Sequence, residues 1–366
     1  MPLSAPIHAA PSRRTSNPAT GDRLRSVRLP RFVPHALAGG GLVLAGYLYV
    51  VAGSGVAVCT VVGWLVFAAG LTASSWMVEG SRKARDRLAT TVVWSAFSLA
   101  VLPLLGLLWQ VTSNGITALD GTFLTYSMRS VVGEGGGIYH AIVGTLLVTA
   151  MATAIAVPVG LLTAIYLVEY GAGHTARTVA FLVDVMTGIP SIVAGLFAYA
   201  LFVIVFGEGI RMGFGGAVAL ALLMIPLIVR SGEEMLKLVP AELRESSYAL
   251  GVPKWRTIVK VVLPTAMGGI VTGVTIAVAR VIGETAPLLI ICGATDSTNF
   301  DLFDGRMMTL PVFIYNQYKS PGVPPQFGHE RAWAAALVLT IIIMALNLLA
   351  RLASHYVSAK KEGMKR

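Results

Sequence analysis

Apolar residues in this chain gather in long unbroken runs rather than on alternating faces. From Ala36 to Val78 there is no Asp, Glu, Lys or Arg. At about 1.5 Å of rise per residue, that stretch is roughly twice the thickness of a bilayer's hydrocarbon core. It therefore predicts two membrane spans, with the Gly53-Ser54-Gly55 triplet as the turn between them. Reading the whole chain against a span of about 20 residues gives about eight, near 36–52, 56–78, 88–112, 138–168, 178–206, 214–230, 265–292 and 332–353. Pro103, Pro158 and Pro190 are expected to interrupt helices, which neighbouring helices can compensate in a membrane.

One internal stretch, residues 233–264, breaks the pattern. It is too polar to span and too helix-prone for a bare loop. Pro240 suits the first turn of a helix running through Glu245 to Leu250, Gly251 suits a left-handed cap, and Pro253 can open a second short helix. The prediction is a helix–turn–helix at the cytosolic surface, and spacing alone leaves open an interfacial hairpin with no partner.

Composition agrees with a membrane protein. Only 13% of the 366 residues are charged, against about a quarter in a soluble domain, and mean hydropathy is +0.74. The net charge of +10 sits in tails and loops between spans, where it sets orientation rather than forming a nucleic-acid surface. Residues 1–35, with Arg13, Arg14, Arg23, Arg25, Arg28 and Arg31, read as a disordered basic cytosolic tail without a signal-peptide pattern. With that tail inside, the basic loop Ser81 to Arg87, the stretch Lys237 to Lys260 and the tail 358–366 also fall inside, and the loops 113–137 and 293–331 fall outside. Both termini are thus expected in the cytoplasm. Cys59 and Cys292 lie in apolar runs and read as small buried hydrophobes.

The polar stretch resembles the coupling loop of ABC importer permeases, whose pattern is Glu-Ala-Ala, three residues, Gly, nine residues, Ile-x-Leu-Pro. Here it reads Glu245-Ser246-Ser247, Gly251 and Val261-Val262-Leu263-Pro264, with the spacing kept, Ser for both alanines and Val for Ile. The resemblance implies that Glu245, Ser246, Ser247, Gly251, Leu263 and Pro264 form the ATPase coupling site. A small-residue helix face allows close approach to a groove on the partner, and a Gly turn fixes the exit angle. The phosphate-cradling motif Gly-x-x-x-x-Gly-Lys-[Ser/Thr] does not occur, so the chain is read as a non-enzymatic subunit without a cofactor of its own, and ATP is assigned to partner subunits.

Within that superfamily, residues 88–357 resemble the PstA-type permeases of phosphate ABC transporters. The resemblance rests on Ala156-Val157-Pro158-Val159-Gly160, Ile165 to Gly171, Thr187 to Phe197 and, above all, Ala279-Arg280-Val281-Ile282-Gly283-Glu284-Thr285-Ala286-Pro287-Leu288. It implies an all-α polytopic fold with a type I (MetI-like) permease core and cytosolic coupling helices. The implied partners are a homologous PstC-type permease, a PstB-type ATPase dimer and an extracytoplasmic PstS-type phosphate-binding protein, in a bacterial inner membrane and its lipid. The domain expectation is a tail at 1–35, an added hairpin and basic loop at 36–87, a helix and outer loop at 88–137, a permease core at 138–357 and a tail at 358–366.

Residue chemistry points the same way. Arg280 and Glu284 sit in an otherwise apolar span, where each ionised group costs roughly 2.5 kcal/mol or more in hydrocarbon. Four residues apart on a helix, they can pair across one face. A guanidinium suits phosphate, and a neighbouring carboxylate would keep the anion from binding too tightly to leave. The other reading of the pair is a salt bridge that fixes helix packing. Arg230 is a further pathway candidate or an interface anchor, and Asp184 is expected to cap or pair near the cytosolic entrance. Glu169 reads as a helix-end charge at the membrane surface, His140 and His174 as solvated. Met307, Met308 and the stretch Tyr315 to Tyr318 are placed on an outer loop that touches a binding protein.

Rival functions are an ABC permease for another oxyanion (sulfate, molybdate or phosphonate), an ion-driven secondary transporter or channel, and a membrane enzyme. The first would share the arginine, the second needs no coupling loop, and no metal cluster or catalytic motif supports the third.

Overall fold

The computed structural model describes residues 29, 30, 32–51, 53 and 55–363, with side-chain surroundings as far as Leu352. The expected basic tail therefore lies almost wholly outside the described residues, although its last positions, from Phe32, already belong to the first helix. Every regular element among the described residues is helical. That is the arrangement hydrocarbon demands of a single chain without a closed barrel, because a helix satisfies its own backbone. Among the described residues seven helices are long and apolar enough to cross a membrane, or eight if one bent pair is counted as a span.

The chain divides into two compact units, Met1–Gly106 and Leu107–Arg366. In the first, α1 (Phe32–Val50) and α2 (Val56–Glu79) form a hairpin followed by the start of α3 (Ser81–Gly115). Gly41 and Gly63 let the hairpin close: a Cβ on Gly41 would stand 2.7 Å from the Gly63 carbonyl oxygen, and one on Gly63 2.6 Å from that of Gly41. Two polar ties fasten α2 to α3. The Trp64 indole donates to Ser95 Oγ at 2.6 Å, and Arg87 donates to both oxygens of Glu79 at 2.8 and 3.0 Å. Glu79 also accepts from the Leu29 amide and the Ser75 hydroxyl, so a nearly enclosed carboxylate is fully satisfied.

The second unit holds the end of α3, a 3-10 turn (Ile116–Ala118), α4 (Gly121–Thr125) and α5 (Tyr139–Ile165), which runs on as a π-helical turn (Tyr166–Tyr170). Next come α6 (Gly173–Thr187), α7 (Ser191–Phe206), α8 (Gly213–Lys237), α9 (Ala241–Ala249) and α10 (Lys254–Thr257). A second π-helical turn (Ile258–Val262) joins α10 to α11 (Leu263–Val281), and α12 (Ala286–Ile291), α13 (Leu310–Lys319) and α14 (Pro325–Gly363) complete the chain. The core is built on small residues. Ala152, Ala156 and Gly160 of α5 face Ala217, Ala221 and Ile228 of α8, which lets the two backbones approach as membrane helices do when dispersion and packing must hold them.

Several expectations change here. The span anticipated at 178–206 is two helices, α6 and α7, bent by 111° at Gly188-Ile189-Pro190. Proline lacks an amide hydrogen and pushes its predecessor out of helical geometry, so the chain turns at that point. Pro103 and Pro158, by contrast, stay inside continuous helices, as does Pro226. The stretch 293–331, expected as an outer loop, is folded. Met307 and Met308 are buried in the main core, and Tyr315 and Tyr318 lie on α13. The last helix continues to Gly363, so the expected terminal tail begins as helix and only 364–366 lie outside the described residues.

Candidate functional site

The polar stretch folds as a hairpin between two long helices. α8 carries Glu233 and Glu234 on to Lys237, Pro240 precedes the first turn of α9, and Gly251 takes φ of 73° where the chain reverses. α10 then passes through its π turn into α11, so the second short helix is the opening of a membrane helix rather than a separate element. Glu245, Ser246 and Gly251 are exposed. Leu243, Tyr248, Leu250 and Trp255 stand out beside them, Leu250 at 83% exposure. Ser247 points inward, and its hydroxyl bonds Thr257 Oγ1 at 2.8 Å inside the hairpin. Leu263 and Pro264, half-buried, open α11.

Two residues the sequence reading did not join anchor this hairpin. Arg244 of α9 donates through Nε and Nη2 to Glu169 Oε1 at 3.0 and 2.9 Å, with side-chain exposures of 18% and 5%. The same guanidinium donates to the carbonyls of Val239 at 2.6 Å and Leu236 at 2.9 Å. Glu169 is thus a helix-end charge that is buried and paired. The signal was an opposite charge at the same expected membrane face, 75 residues away. The neighbouring Tyr170 ring receives the Lys254 ammonium at 4.9 Å.

Arg280 lies in the last turn of α11 and is exposed on the surface of the chain. Glu284 is half-buried in the turn after that helix has ended, so the two do not share a helical face, and no ion pair joins them among the described residues. The expected pairing is therefore corrected. The Gly283 turn separates the residues, and α12 packs against α7, where a Cβ on Gly195 would meet the Pro287 Cα at 2.5 Å. Arg230, the other pathway candidate, is engaged: it pairs with Asp184 of α6 and with Glu233 at 2.8 Å, and donates to the Ala180 carbonyl at 3.4 Å. Lys237 adds to the group, 3.7 Å from Glu233.

At the opposite end of α5, His140 is buried rather than solvated, packed edge-on to Phe313 with ring centroids 5.6 Å apart. His174 is exposed, as expected. Arg331 of α14 was not singled out from sequence. It donates to the Gly133 and Gly135 carbonyls at 2.7 and 3.1 Å and to Gln317 at 3.0 Å, tying the loop before α5 to α13 and α14. Asp120 caps α4 by accepting from the Phe123 amide at 2.6 Å, which, together with the Thr122 hydroxyl, holds its carboxyl below the usual carboxylate range.

Residues 156–363 match the family of binding-protein-dependent transport system inner membrane components. Curated relatives include the phosphate transport system permease protein PstA 1 of Mycobacterium tuberculosis, 48% identical over 74% of this chain and 88% of its own length. Another is PstA of Pasteurella multocida, 38% identical over 74% of this chain and 95% of its own. Among solved structures, the bacterial alginate ABC transporter in complex with its pentasaccharide-bound periplasmic protein has a chain that aligns with a TM-score of 0.56 at 13% identity, covering 75% of this chain and 96% of that one. That likeness bears on the fold alone, an ABC importer permease core. The chain belongs to the family of binding-protein-dependent transport system inner membrane components, among its PstA permeases.

Proposed function

We propose that this chain is the membrane-spanning permease subunit of an ATP-driven importer that moves inorganic phosphate into the cell. The observation that carries this reading is the hairpin of α9 and α10. It exposes Leu243, Tyr248, Leu250 and Trp255 beside Glu245 and Ser246, and such a group of exposed apolar side chains calls for a protein partner. The partner is an ATPase dimer, whose closure on ATP would move the hairpin as one body. A second permease completes the pathway, an extracytoplasmic binding protein delivers solute, and both termini lie in the cytoplasm.

Arg280 supports an anionic cargo. An ionised guanidinium on the exposed side of an apolar helix is costly against lipid, so it faces another protein or water. Its planar donor fork fits a phosphoryl oxygen pair, and it stays charged throughout the cycle. The names of the relatives at 36–48% identity narrow the anion to phosphate. Arg230, already held by Asp184 and Glu233, serves the pathway better as a support for α6 than as an anion contact.

The test is uptake in proteoliposomes holding the assembled complex. Loss of a charge-assisted contact corresponds to roughly ten- to a hundredfold, so Arg280→Ala is expected to lower phosphate uptake by that order while the ATPase still co-purifies. Undiminished uptake by that variant would remove Arg280 from the route. Transport of sulfate or molybdate in preference to phosphate by the unaltered complex would replace the assigned cargo.

A further inference from the structure

We infer that Arg244 and Glu169 act as a positioning pair that joins the ATPase-facing hairpin to the cytosolic ends of α5 and α8. This rests on the importer reading above and deepens it, since neither residue belongs to the coupling-loop pattern.

The guanidinium bonds three segments at once. Nε and Nη2 hold Glu169 in the π turn that ends α5, Nη2 also holds the Leu236 carbonyl in the last turn of α8, and Nη1 holds the Val239 carbonyl of the connection. Its neighbour Glu245 is exposed toward the expected partner. One turn of helix therefore carries a partner-facing group and a group bonded back to the permease. One further tie runs parallel to the first, Lys254 of α10 over the Tyr170 ring, and Ser247 to Thr257 braces the hairpin internally. A displacement of α9 is thereby imposed on α5 and α8 together, and these two helices pack along the core of the unit. Without the pair, the direct tie from α9 to α8 is the short Leu238-Val239-Pro240 link, where a pull can be taken up by backbone rotation.

A residue that only helped the hairpin fold would lower assembly, whereas a positioning residue changes how much transport each hydrolysis yields. The measurement is therefore ATP hydrolysed per solute taken up by the complete complex in proteoliposomes, with co-purified ATPase quantified in parallel. Arg244→Ala and Glu169→Ala are each expected to raise that ratio at least fivefold. The double variant should be no worse than Arg244→Ala, because that variant already removes the bond to Glu169 along with those to Val239 and Leu236. Arg244→Lys, a point charge without the fork, should fall between Arg244→Ala and the unaltered chain. The inference is overturned if the assembled single variants keep the unaltered ratio, or if their effects multiply in the double variant. It is also overturned if Arg244→Ala merely sheds the ATPase while Glu169→Ala transports normally. The ratio is counted for whichever oxyanion the unaltered complex moves, so an error in the cargo assignment would be seen separately.

Discussion

A charge in this chain acquires meaning from the face it occupies. The linear motif specifies residue types at a spacing, and the structure leaves its Glu245 and Ser246 exposed. A motif carries no direction, however: 100° further around α9 the Ser247 hydroxyl turns inward to Thr257. The pairing of Glu169 with Arg244 escaped notice for a related reason, as each looks like an ordinary helix-end charge until tertiary packing brings them together. Burial of His140 follows from packing against Phe313 on α13, an element that hydropathy alone did not separate from its loop. Asp120 supplies a pH test at this scale. Its carboxyl titrates below the unfolded value near 3.8, so the cap on α4 contributes in full above that pH and is lost as pH falls through the lower folded value. Hydrogen exchange at the Phe123 amide should stay slow from pH 7 down to about 4 after correction for intrinsic rates, and Asp120→Ala should abolish the protection.

Elements were read well where length and composition decide, and less well where the backbone changes direction. The unbroken apolar runs located every long helix because about 20 apolar residues have few alternatives to crossing a bilayer. The 178–206 run misled, because uniform hydropathy conceals a 111° bend and only Gly188 and Pro190 mark it. Pro158 and Pro226 lie in equally apolar surroundings without a break, so proline alone did not distinguish the cases. The α1–α2 hairpin depends on two glycines in mutual contact. Gly63→Leu should force the pair apart at a cost of about 1–3 kcal/mol. The expected readout is a lower melting temperature in detergent, with Gly39→Leu, where space is open, close to neutral.

At the scale of the whole molecule, orientation rests on the distribution of basic residues and can be checked directly. Both native cysteines are buried, which leaves engineered ones to report. Phe300→Cys should react with a membrane-impermeant maleimide in intact spheroplasts. Leu250→Cys should react only in inside-out vesicles stripped of peripheral ATPase; the reverse pattern would invert the topology. The two π-helical turns carry a different kind of consequence, concerning which changes of length the chain tolerates. Such a turn accommodates one surplus residue locally, where an uninterrupted α-helix would swing everything beyond an insertion by about 100°. The turn at Ile258–Val262 therefore buffers α11 against a change of frame from the hairpin side. Deleting exposed Val259 should let the turn relax to α-helix and leave Arg280 on its bearing, whereas deleting Thr272 within α11 should rotate Arg280 off its side of the helix. Tolerance of short deletions should accordingly peak at the π turn and collapse one turn further into the membrane.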